Sequence, residues 1–449
     1  MPSPSLARGT KRPALFWLLN KEWRELFASR AWWVFLALMG PLVGVSFISA
    51  VHTYAEASGL NGTAAGVGEA FSPLVGIWAP TFSACELAAA FLLPFVAIRL
   101  VAGDRQSGAM KIELQHPMSA FTRIGAKVLV LFVGWLIASL APIAAVALWK
   151  SYGGSVYGPE LATVALGHLL NAGLMIALAA VAASITEHPS TAAILTLTIT
   201  VGSWILNFIA AVNGGFWERA AGYTPTAIVA EFQHGLVRLN VVLIAVALVL
   251  SGLALAAVWM RIGISVRRRS MKSLALTATA AIVMFLCTFA RPSWDLSENR
   301  MNSFPKADEL ALQQIRGPLN IEVHLAPEDP RRADVEHRAF SKLRRLNLHL
   351  HIEYVSATTI GLFEQTNPHY GELWYELNGR KAVSRVTTAE GVLETIYSLA
   401  GIAPPADNDD NFFRGHPLAV APKGAALVFY LIWPALAAAS GIWVLRRHA

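Results

Sequence analysis

The chain has 449 residues, of which 55% are hydrophobic and only 14% charged. Soluble domains carry nearer a quarter charged residues, so this balance excludes an ordinary water-soluble fold for most of the length. The net charge of +7 sits on the flanks of apolar segments and forms no single basic stripe, which argues against a nucleic-acid partner.

The N-terminus carries Arg8, Lys11 and Arg12. No short apolar run with a small-residue cleavage site follows, so no cleaved signal peptide is expected. Residues 13–29 open on Pro13, which suits a first helical turn. Leu15, Leu19, Trp23, Leu26 and Phe27 then recur at helical spacing, with Lys21, Glu22, Arg24 and Glu25 between them. This stretch is too charged to cross a bilayer, and its periodicity predicts an amphipathic helix lying in the interface.

A helix needs about 20 mostly apolar residues to cross the hydrocarbon core. Eight segments meet that length: 31–51, 78–101, 128–149, 161–185, 191–212, 239–260, 273–290 and 424–445. Only helices satisfy every backbone group in lipid from within one segment, which makes the membrane part a helical bundle. The Lys/Arg bias of the loops sets the orientation. Lys21, Arg24 and Arg30 precede the first span, and Arg105, Lys111, Arg123 and Lys127 follow the second. Arg261, Arg267, Arg268, Arg269 and Lys272 follow the sixth, and Arg446-Arg447 close the chain, whereas residues 52–77 hold no Lys or Arg. Both termini are therefore expected in the cytoplasm of a bacterial inner-membrane protein. Cys85 and Cys287 lie in apolar runs and give neither a disulfide framework nor zinc spacing.

Residues 291–422 interrupt the apolar pattern between the last two spans and are long enough for a small domain. Ser303 and Pro305 open a helix that stops near Gly317-Pro318. Strict alternation predicts strands at 319–326 and 348–354 around a helix at 331–346. Asn378-Gly379 joins 371–377 to 380–386 as a type I′ hairpin. Thr387 with Glu390 predicts a capping box for a helix ending near Gly401. The expected order is αβαββα, with 402–422 as a tether and the whole insert periplasmic.

No nucleotide-cradling G-x-x-x-x-G-K-[ST] occurs, nor HExxH, nor G-x-S-x-G. Energy, if used, must come from a partner. The loop 103–119 reads Gly-Asp-Arg-Gln-Ser-Gly-Ala-Met-Lys-Ile-Glu-Leu-Gln-His-Pro-Met-Ser. An acid-base pair, Asp104-Arg105, leads to Gly108 and a short helical segment stopped by His116-Pro117. This resembles the type-2 ABC exporter permeases, whose loop between the second and third spans holds a short coupling helix between Gly-Thr and Pro. Ala109 stands where Thr is usual. Lys-Glu-Trp-Arg-Glu-Leu at 21–26 and the short loop 186–190 before Ser190-Thr191-Ala192-Ala193 extend the resemblance, which covers residues 13–262.

The resemblance implies that Asp104, Arg105, Gly108, Lys111, Glu113, His116 and Pro117, with Glu22 and Arg24, couple the chain to a separate cytoplasmic ATPase. ATP and Mg would be bound by that partner, and no cofactor by this chain. It also implies a homodimer or a pair with a related permease, and no chemical catalysis by the chain itself. The segment Trp294-Asp295-Leu296-Ser297-Glu298-Asn299-Arg300, followed by Ser303 and Pro318-Leu319-Asn320-Ile321-Glu322-Val323, resembles the auxiliary subunit of gliding-motility-type ABC systems. That subunit has one span, a periplasmic α/β domain and a closing span. The insert here is much shorter than usual, so the family's later periplasmic portion is missing.

The expected organisation is therefore a helix at 1–30, a six-helix permease unit at 31–262, a basic loop and seventh span at 263–290, the α/β insert at 291–422 and a last span with its tail at 423–449. Glu86, His168, Asn171 and Asn207 are polar groups inside spans and candidates for a substrate path. If strands 319–326 and 348–354 pair, His324, His349 and His351 with Glu322 form a candidate copper or zinc set; the alternation of any half-exposed sheet is the competing explanation. A rival function is a non-transporting membrane scaffold whose periplasmic domain recruits envelope proteins.

Overall fold

The computed structural model describes residues 14–57, 72–113, 115, 118–213, 215–326, 329–346, 349–355, 368–405, 416 and 424–448. The protein is a polytopic helical membrane protein. Among the described residues, eight helices are long and apolar enough to cross a membrane, and a small sheet lies in the C-terminal part.

The first helix, α1 (Ala14–Ala28), stops at Ser29, and α2 (Arg30–Ala57) is the first span. The second span enters through a π-turn, Leu74–Trp78, and continues as α3 (Ala79–Phe91) and α4 (Leu93–Ser107). Pro94 explains the break at Leu92, because it has no N–H to continue the ladder. Gly108 ends α4 with φ +76°, a conformation that favours glycine. A single turn, α5 (Ala109–Glu113), follows. Ser119 then caps α6 (Ala120–Ala138), its hydroxyl accepting the Thr122 N–H at 3.0 Å. Pro142 forces a second break, and α7 (Leu140–Ser151) completes the third span.

Next come α8 (Gly158–Ile185) and α9 (Pro189–Asn213), the fourth and fifth spans. Two short helices that the periodicity did not signal, α10 (Gly215–Ala221) and α11 (Pro225–Gln233), precede β1 (Leu236–Arg238). The sixth and seventh spans are α12 (Leu239–Trp259) and α13 (Val266–Cys287). Beyond α13, β2 (Ser293–Asp295) pairs antiparallel with β1. This two-stranded ribbon continues both helices past their apolar ends.

The remaining sheet-bearing unit begins with α14 (Lys306–Leu312), β3 (Leu319–Val323) and α15 (Pro330–Val335). A π-turn, Glu336–Phe340, runs into α16 (Ser341–Arg345), followed by β4 (Leu350–Tyr354). The hairpin β5 (Leu373–Leu377) and β6 (Arg380–Ser384) precedes α17 (Ala389–Ala400). The sheet order is β4-β3-β5-β6, with only β3 and β4 parallel. Asn378 and Gly379 both have positive φ, as a type I′ turn requires. Leu319, Ile321 and Val323 turn their buried face to Phe340, Leu343 and Ile396 of the covering helices. The order is thus αβαβββα: each of the four strands expected at 319–326, 348–354, 371–377 and 380–386 is present, so αβαββα is one strand short of the elements it summarises. The cap of α17 is Thr388, which accepts the Gly391 N–H, so the expected Thr387–Glu390 box is replaced by a cap one residue later.

The chain closes with α18 (Ala425–Leu427), a π-turn at Val428–Ile432 and α19 (Trp433–His448), together the last span. It packs on α2 where Gly40 and Gly44 leave no side chain. A Cβ at either position would collide with Trp433 or Phe429. The Trp433 indole also donates to the Leu36 carbonyl at 2.7 Å. Most of the expected tether, 402–422, lies outside the described residues.

Candidate coupling site

Along α1, Leu18, Glu22 and Leu26 recur every fourth residue and are all buried against the bundle. Gly134 on α6 makes room for this seat, its missing side chain lying 3.2 Å from both Leu26 and Trp32. The turn at Ser29 is braced by aromatic rings. Trp23 stacks on Phe27 at 5.3 Å, and the Trp33 indole donates to the Phe27 carbonyl at 2.8 Å. The apolar stripe therefore carries a carboxylate, Glu22, into a place without water, where an ionised group needs a partner.

That partner is Lys127. Its ammonium, fully withdrawn from solvent, donates to both Glu22 oxygens at 2.9 and 2.8 Å, to the Leu100 carbonyl at 3.2 Å and to Asp104 Oδ2. Lys21 takes the other Asp104 oxygen at 2.8 Å and also binds Glu113, with Glu25 at 3.1 Å and Glu22 at 3.3 Å. Asp104 is thus shared by two lysines. One network joins α1, the end of α4, the turn α5 and the start of α6.

The electrostatics outside the spans follow from this arrangement. Burial pushes the Glu22 carboxyl up to about 7, with Lys127 pulling the other way. Burial opposes charge on Lys21, but its bonds to Asp104 and Glu113 outweigh it and raise its pKa above the ordinary value. Glu25 is raised by burial first and then by Asp104. Glu22, Glu25 and Asp104 also approach one another as metal ligands would, but the two lysines already occupy the space between the carboxylates.

Of the residues expected to couple, Glu22, Asp104 and Glu113 are internal to this network, whereas Arg24 is exposed. Gly108 sits at the break between α4 and α5. Arg105 and Lys111 lie within helices, but their side chains are outside the described residues, as are His116 and Pro117. Lys21 and Lys127 were missed as site residues. Lys127 was counted among loop charges, yet it lies inside α6 and is buried. A signal existed in Ile124, Lys127 and Leu131, which share one helical face otherwise apolar.

The path candidates occupy two neighbouring places linked through Gln233. Glu86 and Asn207 line one cavity of about 360 Å³ together with Ser83, Leu87, Trp204 and Thr226. Asn207 accepts a hydrogen bond from Thr224 at 2.9 Å. His168 and Asn171 are buried within α8 instead, and Gln233 lies 3.4 Å from His168 and 3.5 Å from Ser83. The histidines of the sheet do not converge. Parallel pairing sets His351 opposite Asn320, whereas His324 lies past the other end of β3, 4.9 Å from the Trp374 ring. His349 contributes its carbonyl to the Leu319 N–H. The candidate metal set is therefore split between the two ends of the sheet.

Glu160 was not singled out from the sequence. It is fully buried at the start of α8 and accepts the Glu298 N–H at 2.6 Å, while Glu298 pairs with His416 at 3.0 Å. This contact seats the segment after β2 on the bundle.

Residues 16–226 match the family model described as ABC-2 family transporter protein. The matched stretch runs from α1 through the fifth span into α11 and contains the whole charge network. Over that stretch the match supports an ABC-2 type permease component. No curated protein matches the chain.

Proposed function

We propose that the chain is the permease of an ATP-driven exporter and that α5 is its coupling helix, working on a separate cytoplasmic ATPase. The observation that carries this reading is the network centred on Lys127 and Asp104, which ties α5 to α1 and to the second and third spans. A force applied at α5 would reach three elements through charge-assisted hydrogen bonds shielded from water. Arg24, with Arg105 and Lys111 on the neighbouring helices, would provide the contact surface, while Glu22, Asp104 and Glu113 hold the geometry behind it.

ATP and Mg would be bound by the partner. Two permease units would be needed to seat two ATPases, either as a homodimer or as a pair with a related permease. Both termini would face the cytoplasm of the bacterial inner membrane, and residues 291–422 would form a periplasmic auxiliary domain of the gliding-motility type. The membrane scaffold is the second reading, favoured by how few polar groups the bundle offers: Glu86 and Asn207 in one place and His168 and Asn171 in another, linked through Gln233 and Ser83.

The test is affinity purification of the tagged chain from its own membranes in mild detergent. A soluble partner with a nucleotide-binding P-loop, retained by the native chain and lost from Arg24→Glu/Arg105→Glu at unchanged thermal stability, is expected. Recovery without any ATPase, even after cross-linking, would favour the scaffold.

A further inference from the structure

A cavity of about 1720 Å³ lies where α12 begins and α13 ends, and none of its lining residues belongs to the charge network. Its floor is the β1–β2 ribbon with Asn240 and Thr288 beside it, and its roof comes from the Glu336–Phe340 turn and α16. Five arginines line it against two glutamates. Arg238 pairs with Glu231 at 2.7 Å, and Arg344 pairs with Glu336. Among the described residues, Arg291, Arg338 and Arg345 have no carboxylate at ion-pair distance. One terminal nitrogen of Arg345 is buried without a hydrogen-bond acceptor. Burial pulls the Arg345 guanidinium below its ordinary value, Asp295 opposes this, and Arg238 adds to it. The cavity therefore holds cationic donors in excess of the acceptors the protein supplies.

Its position selects among anions. Only 6% of the most apolar stretch of α13 is buried, so apart from the side packed on α12 this span is left uncovered by the described residues. Leu274, Ile282, Phe285, Leu286 and Phe289 are 61–74% exposed, and the row runs up to the cavity's edge at Thr288 and Ala290. A ligand with a charged head and apolar tails would satisfy both surfaces at once, whereas a free anion would use only the first.

We propose that this cavity binds the phosphate headgroup of an anionic membrane lipid, with its acyl chains along the open side of α13. Guanidinium groups suit this role because their planar N–H fork matches two phosphate oxygens. The proposal does not depend on the partner ATPase or on which side of the membrane the cavity faces.

The full chain, stripped of lipid in detergent, is titrated with phosphatidylglycerol, with phosphatidylcholine and with inorganic phosphate, and bound lipid is counted by native mass spectrometry. Phosphatidylglycerol is expected to bind at least about tenfold more tightly than phosphatidylcholine, given the attraction of several basic groups for an anionic headgroup. Arg291→Glu/Arg338→Glu, both at exposed positions, should abolish that preference at unchanged melting temperature, and Arg291→Lys/Arg338→Lys should keep most of it. Equal binding of the two lipids, or a preference that survives the charge reversal, would overturn the proposal. Displacement of phosphatidylglycerol by millimolar inorganic phosphate would reassign the cavity to a soluble phosphate and overturn the lipid as its occupant.

Discussion

Lys127 in the third span and Glu22 in the amphipathic helix face each other with neither side chain open to solvent, the ammonium 2.8 and 2.9 Å from the two carboxylate oxygens. Each group is costly to bury alone, and together they are tolerable because Asp104 and the Leu100 carbonyl satisfy the remaining protons. The pair fixes where α1 sits, so the elbow at Ser29 does not swing freely on the bundle.

Removing the cation should therefore cost more than removing the cluster. Lys127→Met leaves Glu22 and Asp104 buried without their shared partner and is expected to destabilise the protein by about 3–5 kcal/mol. The triple variant Lys127→Met/Glu22→Gln/Asp104→Asn removes the stranded charges and should recover a large part of that loss. Thermal unfolding in detergent, followed by tryptophan fluorescence, checks both.

Glu22 also makes stability depend on pH. Its folded pKa of about 7 exceeds the ordinary 4.5, so the folded state holds a proton that the unfolded chain releases between these values. The contribution is fully present below pH 4.5 and is lost as pH rises through about 7. Glu22→Gln, neutral at every pH, should flatten this part of the profile of melting temperature against pH; an unchanged slope would remove Glu22 as its source.

The contact of the first and last spans rests on absent side chains. Gly40→Leu/Gly44→Leu forces atoms into the Trp433 and Phe429 rings and should cost about 1–3 kcal/mol by overpacking. Phe47 and Phe429 have ring centroids 6.0 Å apart. Cysteines at these two positions in an otherwise cysteine-free chain should cross-link efficiently only while both glycines are present.

His168 and Asn171 separate a structural role from a transport role. Both Asn171 amide atoms and one His168 nitrogen are buried without partners among the described residues. A purely structural Asn171 would be replaced by Leu at no loss, or with a gain, because no hydrogen bond is broken and a desolvated amide is removed. Asn171→Leu is expected to hold or raise the melting temperature while lowering partner-driven transport. Unchanged transport would remove this residue from the path.

Much of the architecture was legible because it follows from local rules. The eight spans read directly from apolar runs of sufficient length, the type I′ turn from Asn378-Gly379, and the start of α6 from Ser119. The ribbon β1–β2 was not legible, since strands of three residues show no alternation and are held only by pairing across 55 or more residues of chain, Leu236 with Asp295. The cap of α17 fell on Thr388 because two adjacent threonines offer the same chemistry, and only backbone direction chooses between them.

By itself the sequence determined the eight candidate spans, the helix that precedes them and the position of the loop bearing Asp104 and Glu113, because hydropathy, periodicity and turn chemistry act within a few residues of chain. Only the tertiary structure decided that Lys127 is an internal counter-ion and that Lys21 and Lys127 share Asp104. It likewise gathered Arg291, Arg338 and Arg345 around one cavity. Charges so far apart in the chain meet through helix packing, and whether a lysine is a solvated loop charge or a buried clamp depends on what is packed over it.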